Sequence, residues 1–205
     1  MGHAIHTERS KIQPAHYQDY SITTAETVST LFEGLLFEAI FAQVDEKTRA
    51  VLLHDKLTQD ITSIQRQIAF YSFELEMHLH VRSQGAITHT ELNTMMQKHL
   101  QSYMGPGVNI TQEDGHSYVY IPHLRQDFYV YTYTFGTLMS TLMTEAFTAD
   151  NAYSEKIDTF LTAGGNDSVA NIFKKIGINT TKIDTFVHGL NKMEREIKEL
   201  SKLTK

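Results

Sequence analysis

Side chains able to bind a metal, move a proton or donate a hydrogen bond gather at two places in this chain. Near the start, His3 and His6 stand three residues apart, and Glu26 and Glu33 follow, seven residues from each other. Seven residues make two helical turns, so both carboxylates point the same way. The ordinary explanation of such a pair is the solvated face of an amphipathic helix. The second place holds His123, Asp127 and a run of rings, Phe128-Tyr129-Val130-Tyr131-Thr132-Tyr133, before Phe135 and Gly136. Imidazole and phenol groups there are hydrogen-bond donors. Phe128, Tyr131 and Phe135 also have helical spacing, and an aromatic stripe is more often core than active site. His78, His80, His89, His99 and His188 show no recurring partner spacing and read as surface or partly buried histidines.

Long helices must position these residues. The chain has only three prolines and few strand-like alternations. From 21 to 44, Val28, Leu31, Phe32, Leu35, Leu36, Ala39 and Ile40 recur at three- and four-residue steps, a wide apolar stripe, with Ser21 or Thr23 as cap. A second helical stretch runs from 45 to 83, with Leu53, Leu57, Ile61, Ile64, Ile68 and Leu75 in phase and Gly85 as its stop. Thr88 and Glu91 have capping-box spacing and open a helix that ends near Met104. Gly105-Pro106-Gly107 starts a loop, and residues 116–121 suit a short extended piece. Residues 127–149 read as a helix by length and by their later spacing, although the first half has strand propensity. Shorter helices follow over 154–162 and 168–176, with a longer one over 183–203. The expected fold class is all-α.

The bulk composition narrows the function. The chain has 205 residues, of which 41% are hydrophobic and 20% charged, and a formal net charge of −6. It offers no basic face to nucleic acid or anionic lipid. It has no cysteine, which excludes disulfides and thiolate metal sites and suits a reducing compartment. Met1-Gly2-His3-Ala4-Ile5-His6 has neither a basic n-region nor an apolar h-region, so it does not read as a signal peptide. No apolar run is long enough to span a bilayer. The expected location is the cytoplasm, with no membrane and no nucleic acid among the partners.

Taken in order, Gly2-His3-Ala4-Ile5-His6, Gln13-Pro14 and Ala25-Glu26-Thr27-Val28-Ser29-Thr30 resemble the oligoendopeptidase F and thimet oligopeptidase family of zinc metallopeptidases. The segment from Ile121-Pro122-His123 to Gly136 resembles the family's Ile-Pro-His followed by Phe-Tyr-x-Tyr-x-Tyr and a glycine. The stretches 163–173 and 177–190 look like its closing helices. The family's zinc motif has the form His-Glu-x-Gly-His, and Met1-Gly2-His3 matches its last three positions.

That resemblance implies a zincin-like helical catalytic lobe and one Zn2+ per intact site. His3 would be the second zinc histidine, Glu26 the third protein ligand, and Glu33 an acid that orients a ligand imidazole. His123 and Tyr131, with Tyr129 as a further candidate, would donate hydrogen bonds to the oxyanion formed at the scissile carbonyl. Residues 1–205 would be the C-terminal part of the peptidase catalytic domain, with the upstream lobe and the first half of the zinc motif absent. The expected substrates are short peptides. Lacking the first histidine and the proton-transfer glutamate, the chain by itself is expected to be inactive, His6 being a poor substitute ligand. The alternative is an inactive helical fragment that binds or complements another polypeptide, either the missing N-terminal part or a second copy.

Overall fold

Apolar residues at helical spacing collapse onto one another in two separate units, which a computed structural model describes for residues 1–204. No strand occurs among the described residues, so the all-α expectation holds.

The first unit comprises residues 1–60 and 135–205. It contains α1 (Gly2–Ser10), α2 (Ile22–Phe41), α3 (Glu46–Ile61), most of α6 (Tyr131–Ala149), α7 (Ser154–Thr162), α8 (Val169–Lys175) and α9 (Ile183–Leu203). Ser21 caps α2 by accepting the Thr23 N–H at 3.2 Å. Val28 and Leu31 on α2 are fully buried, as are Phe160 on α7, Phe173 on α8 and Met139 and Met143 on α6. The rings of Phe160 and Phe173 lie 4.9 Å apart, and Phe135 meets Phe173 edge-on at 5.4 Å. Phe135 is therefore a packing residue. The turn after α7 lies against the chain after α1: Gly165 N–H donates to Tyr17 O at 2.8 Å.

A chain of ion pairs fastens α9. Lys56 Nζ lies 2.7 Å from Asp60 and 2.8 Å from Glu196, and Lys192 reaches Glu38 at 2.6 Å. The side chains of Lys56 and Glu196 are only 17% and 9% exposed, so these charges are largely withdrawn from water.

The second unit, residues 61–134, is built on α4 (Gln67–Gln84) and α5 (His89–Met104). Thr88 and Glu91 form the capping box at the start of α5, and Gly85 ends α4 in the left-handed conformation (φ 81°). Phe70, Phe73, Met96 and Val130 form the core, with Met77, Leu92 and Tyr118 packed on it.

Three local differences from the sequence expectation lie in this unit. The helix expected over 45–83 is interrupted by a π-helical turn, Thr62–Arg66. Such a turn adds one residue, and each residue rotates a helix face by about 100°. Hence Ile68 and Leu75 come out 51% and 38% exposed, while Ala69, Phe70, Phe73 and Glu74 turn inward. Residues 116–121 are not extended: Asp114–Tyr120 is a 3-10 helix lying on α5, so close that a Cβ on Gly115 would sit 2.3 Å from Asn93 O. Finally, α6 starts at Tyr131 rather than 127, because Asp127 and Phe128 take left-handed backbone angles (φ 28° and 58°).

The ion-pair chain yields a stability test. Glu196→Ala leaves Lys56 half-buried with Asp60 alone, and urea unfolding should show a loss of about 2 kcal/mol. Breaking an exposed pair such as Lys198–Glu194 should leave stability nearly unchanged in the same assay.

Candidate active site

The two helices that carry His3 and Glu26 touch through a glycine. A Cβ on Gly2 would lie 2.8 Å from Ser29 Cα and 2.9 Å from Val28 O, so any larger residue would push α1 off α2. With the helices this close, His3 Nε2 hydrogen-bonds Ser29 Oγ at 3.0 Å. Ser29 follows Glu26 by three residues on α2, hence on the same face. Gly136 of α6 approaches Glu26 in the same manner: a Cβ there would lie 3.1 Å from the Glu26 carbonyl carbon and 3.2 Å from its Cβ. Thr30 Oγ1 donates to Gly136 O at 3.2 Å and fixes that crossing. Glu26 is half-buried, while His3 and Glu33 are exposed.

His6, on the same helix as His3, has a different environment. It is fully buried, stacked on Tyr20 with ring centroids 3.6 Å apart, and close to Phe160 at 6.0 Å. Neither ring nitrogen has a hydrogen-bond partner. Tyr20 binds α1 from outside as well, donating to His3 O at 3.3 Å and bonding the Thr7 hydroxyl at 2.8 Å. His6 is thus a packed ring of the α1–α7 contact.

His3 and Glu26 are of the nitrogen and oxygen type that zinc takes. Among the described residues, however, no group of three or more histidines and carboxylates converges as a metal site. Residues 1–204 therefore fit a zinc ion in part only, with two candidate ligands and a supporting hydroxyl.

In the second unit, His123 on the 3-10 turn Pro122–Arg125 meets two tyrosines. Its Nε2 lies 3.1 Å from the Tyr133 hydroxyl, its ring stacks on Tyr129 at 5.3 Å, and Tyr129 and Tyr133 meet edge-on at 5.6 Å. Tyr131 sits at the first position of α6, 44% exposed. Of the sequence candidates, His123 and Tyr129 are brought together. Tyr133 joins them, although residue types alone could not distinguish it from the neighbouring tyrosines. Ser29 and the packing roles of Gly2 and Gly136 were likewise not readable as single residues. Three of the other histidines have ordinary partners: His99 meets Glu76 at 2.6 Å, His188 meets Glu145 at 3.2 Å, and His89 meets the Tyr118 hydroxyl at 3.2 Å.

The first unit thus clamps a histidine-bearing helix onto a glutamate-bearing one. Residues 1–192 match Peptidase family M3, and the chain belongs to that family. It is 31% identical over 209 residues to Group B oligopeptidase PepB of Streptococcus agalactiae, covering 98% of this chain and 34% of that one. It is 30% identical over 210 residues to Oligopeptidase PepF of Bacillus subtilis, covering 99% of this chain and 31% of the other. In structure it is similar to oligoendopeptidase-F from Enterococcus faecium, with a TM-score of 0.83 and 25% identity, covering 99% of this chain and 37% of that one. The chain spans about a third of the length of the curated relatives it matches.

The environment of His6 sets a pH dependence. Burial, and then the nearby His3 imidazole, lower its pKa from an ordinary 6.5 to about 4. As pH falls, the unfolded chain takes up this proton first, so the contribution is complete above pH 6.5 and drains away between 6.5 and about 4. The difference amounts to about 3 kcal/mol. Urea unfolding across that range should show this loss in the wild-type chain and not in His6→Phe, which keeps the stacking on Tyr20.

Proposed function

We propose that this chain forms part of a zinc-dependent metalloendopeptidase of the oligoendopeptidase F type, which hydrolyses short peptides in the cytoplasm. The observation that carries this reading is the glycine-backed contact of α1 with α2, which joins His3 to Ser29 one turn beyond Glu26. Membership of Peptidase family M3 supports it, as do relatives that are oligopeptidases.

His3 and Glu26 would hold one Zn2+ together with ligands from a polypeptide segment preceding Met1. Zinc in such a site supplies Lewis acidity and a water of lowered pKa. Glu33 would help orient a ligand imidazole. His123, with Tyr129 and Tyr131, would donate hydrogen bonds to the negative charge that develops on the substrate carbonyl oxygen. Tyr133 would hold the His123 ring through its 3.1 Å bond.

A second reading is that the chain works by joining another polypeptide rather than by itself. It is favoured by an exposed apolar stripe on α4, where Ile68, Tyr71, Leu75 and Leu79 are between 36% and 56% exposed.

Both readings agree on one experiment. The 205-residue chain alone should give no chelator-sensitive turnover of a quenched fluorescent peptide, because it supplies two candidate ligands rather than three. Joined at Met1 to a segment matching the first two thirds of the relatives and ending in His-Glu, it should turn the peptide over, and Glu26→Gln should abolish that activity. No turnover by the joined protein would overturn the zinc assignment, and turnover by the short chain would overturn the two-ligand argument. In the joined protein, His123→Ala should lower kcat by about a hundredfold to a thousandfold with KM less affected.

A further inference from the structure

Glu74 is a carboxylate in an apolar core. It is 1% exposed on α4, the helix that also supplies Phe70 and Phe73 to the core of this unit. Nothing in the helix itself requires an acid there, and burying one is costly. Its Oε1 accepts the Phe128 N–H at 2.8 Å, while Oε2 is buried without a partner. Burial pushes its carboxyl above the ordinary range, opposed by the Phe128 N–H and the nearby His78.

The amide it holds belongs to the one pair of non-glycine residues with positive φ among the described residues. Asp127 and Phe128 are consecutive, and both are left-handed without being glycine (φ 28° and 58°). Such conformations cost on the order of 1 kcal/mol or more each and persist only where their surroundings hold them. Three elements of α4 meet this spot. Tyr71 packs on the Phe128 ring at 5.6 Å and His78 at 5.1 Å, one turn to either side of Glu74, whose carboxylate takes the amide. His123 lies immediately before this reversal, and Tyr129 and Tyr133 follow it.

We propose that Glu74 is a positioning residue for the His123–Tyr129–Tyr133 group: by accepting the Phe128 N–H it holds the two-residue reversal that folds both tyrosines back onto His123. The π turn Thr62–Arg66 is part of the same device, since its extra residue directs Glu74 into the core. The catalytic meaning of this positioning rests on the peptidase reading above, but the positioning itself does not.

The test therefore uses the 205-residue chain and no activity assay, so that its failure is separable from failure of the peptidase reading. In the wild-type chain, the Phe128 amide should exchange with deuterium about a hundredfold more slowly than an open loop amide. Exchange at the open-loop rate would overturn the proposal. Glu74→Gln, which retains an acceptor oxygen in the same volume, should preserve that protection and the ring resonances of 13C-labelled Tyr129 and Tyr133. Glu74→Leu should abolish the protection and shift both sets of resonances, while those of Tyr17 and Tyr153 stay in place. Unmoved Tyr129 and Tyr133 resonances in Glu74→Leu would sink the idea. If Glu74→Leu does not fold, Glu74→Asp, whose carboxylate falls one methylene short of the amide, provides the same comparison with the same two outcomes.

Discussion

The contact between α1 and α2 governs the first unit, and it depends on a missing side chain. Helix axes normally stand 8–10 Å apart because side chains separate them. Where Gly2 faces the α2 backbone at Val28 and Ser29, no side chain intervenes. This proximity brings His3 within hydrogen-bond reach of Ser29. It also leaves His6 no place except the buried stack with Tyr20 and Phe160. Gly136 repeats the device from α6, so α2 is approached by two backbones, at Glu26 and at Val28–Ser29. Both glycines were visible as letters in the sequence; their role follows only from what a Cβ would strike.

The second unit works by the opposite means. There the His123–Tyr129–Tyr133 group is small and local, and beside it a buried carboxylate, Glu74, accepts the Phe128 N–H. His123, Tyr129 and Tyr133 span eleven residues of sequence. A simple helix would put the two tyrosines, four residues apart, on one face but would leave His123 on another side and about a turn and a half or more away. The left-handed pair Asp127–Phe128 changes the direction of the chain between the histidine and the tyrosines. The apolar core around it, with Phe73 and Met96 buried almost completely, makes that reversal rigid enough to fix ring positions.

Much of the helical layout was legible because it is written in local rules. The cap at Ser21, the Thr88–Glu91 box, the stop at Gly85 and the bounds of the helices at 154–162 and 183–203 depend on residues adjacent in sequence. The parts that were not legible depend on partners far away. Asp114–Tyr120 coils rather than extends because Gly115 can sit against Asn93. Ile68 and Leu75 fit a regular 3.6-residue repeat with Leu53 and Leu57, yet a single extra residue in between makes that repeat false beyond Ile64. Among the site residues, the order of motifs identified the neighbourhoods of His3, Glu26 and His123. It did not separate Tyr129, Tyr131 and Tyr133, whose difference lies in where α6 begins.

The π turn has a meaning for how such chains can change over time. A helix with one surplus residue holds the segment downstream in a face that depends on that residue. Losing any one residue between 62 and 66 would restore a smooth spiral at little local cost. It would also rotate all that follows by about 100°, turning Ile68 and Leu75 towards the interior and Glu74 away from it. Lengthening or shortening is tolerated in most surface loops. Here the face that a helix presents depends on the number of residues in a tract in its middle.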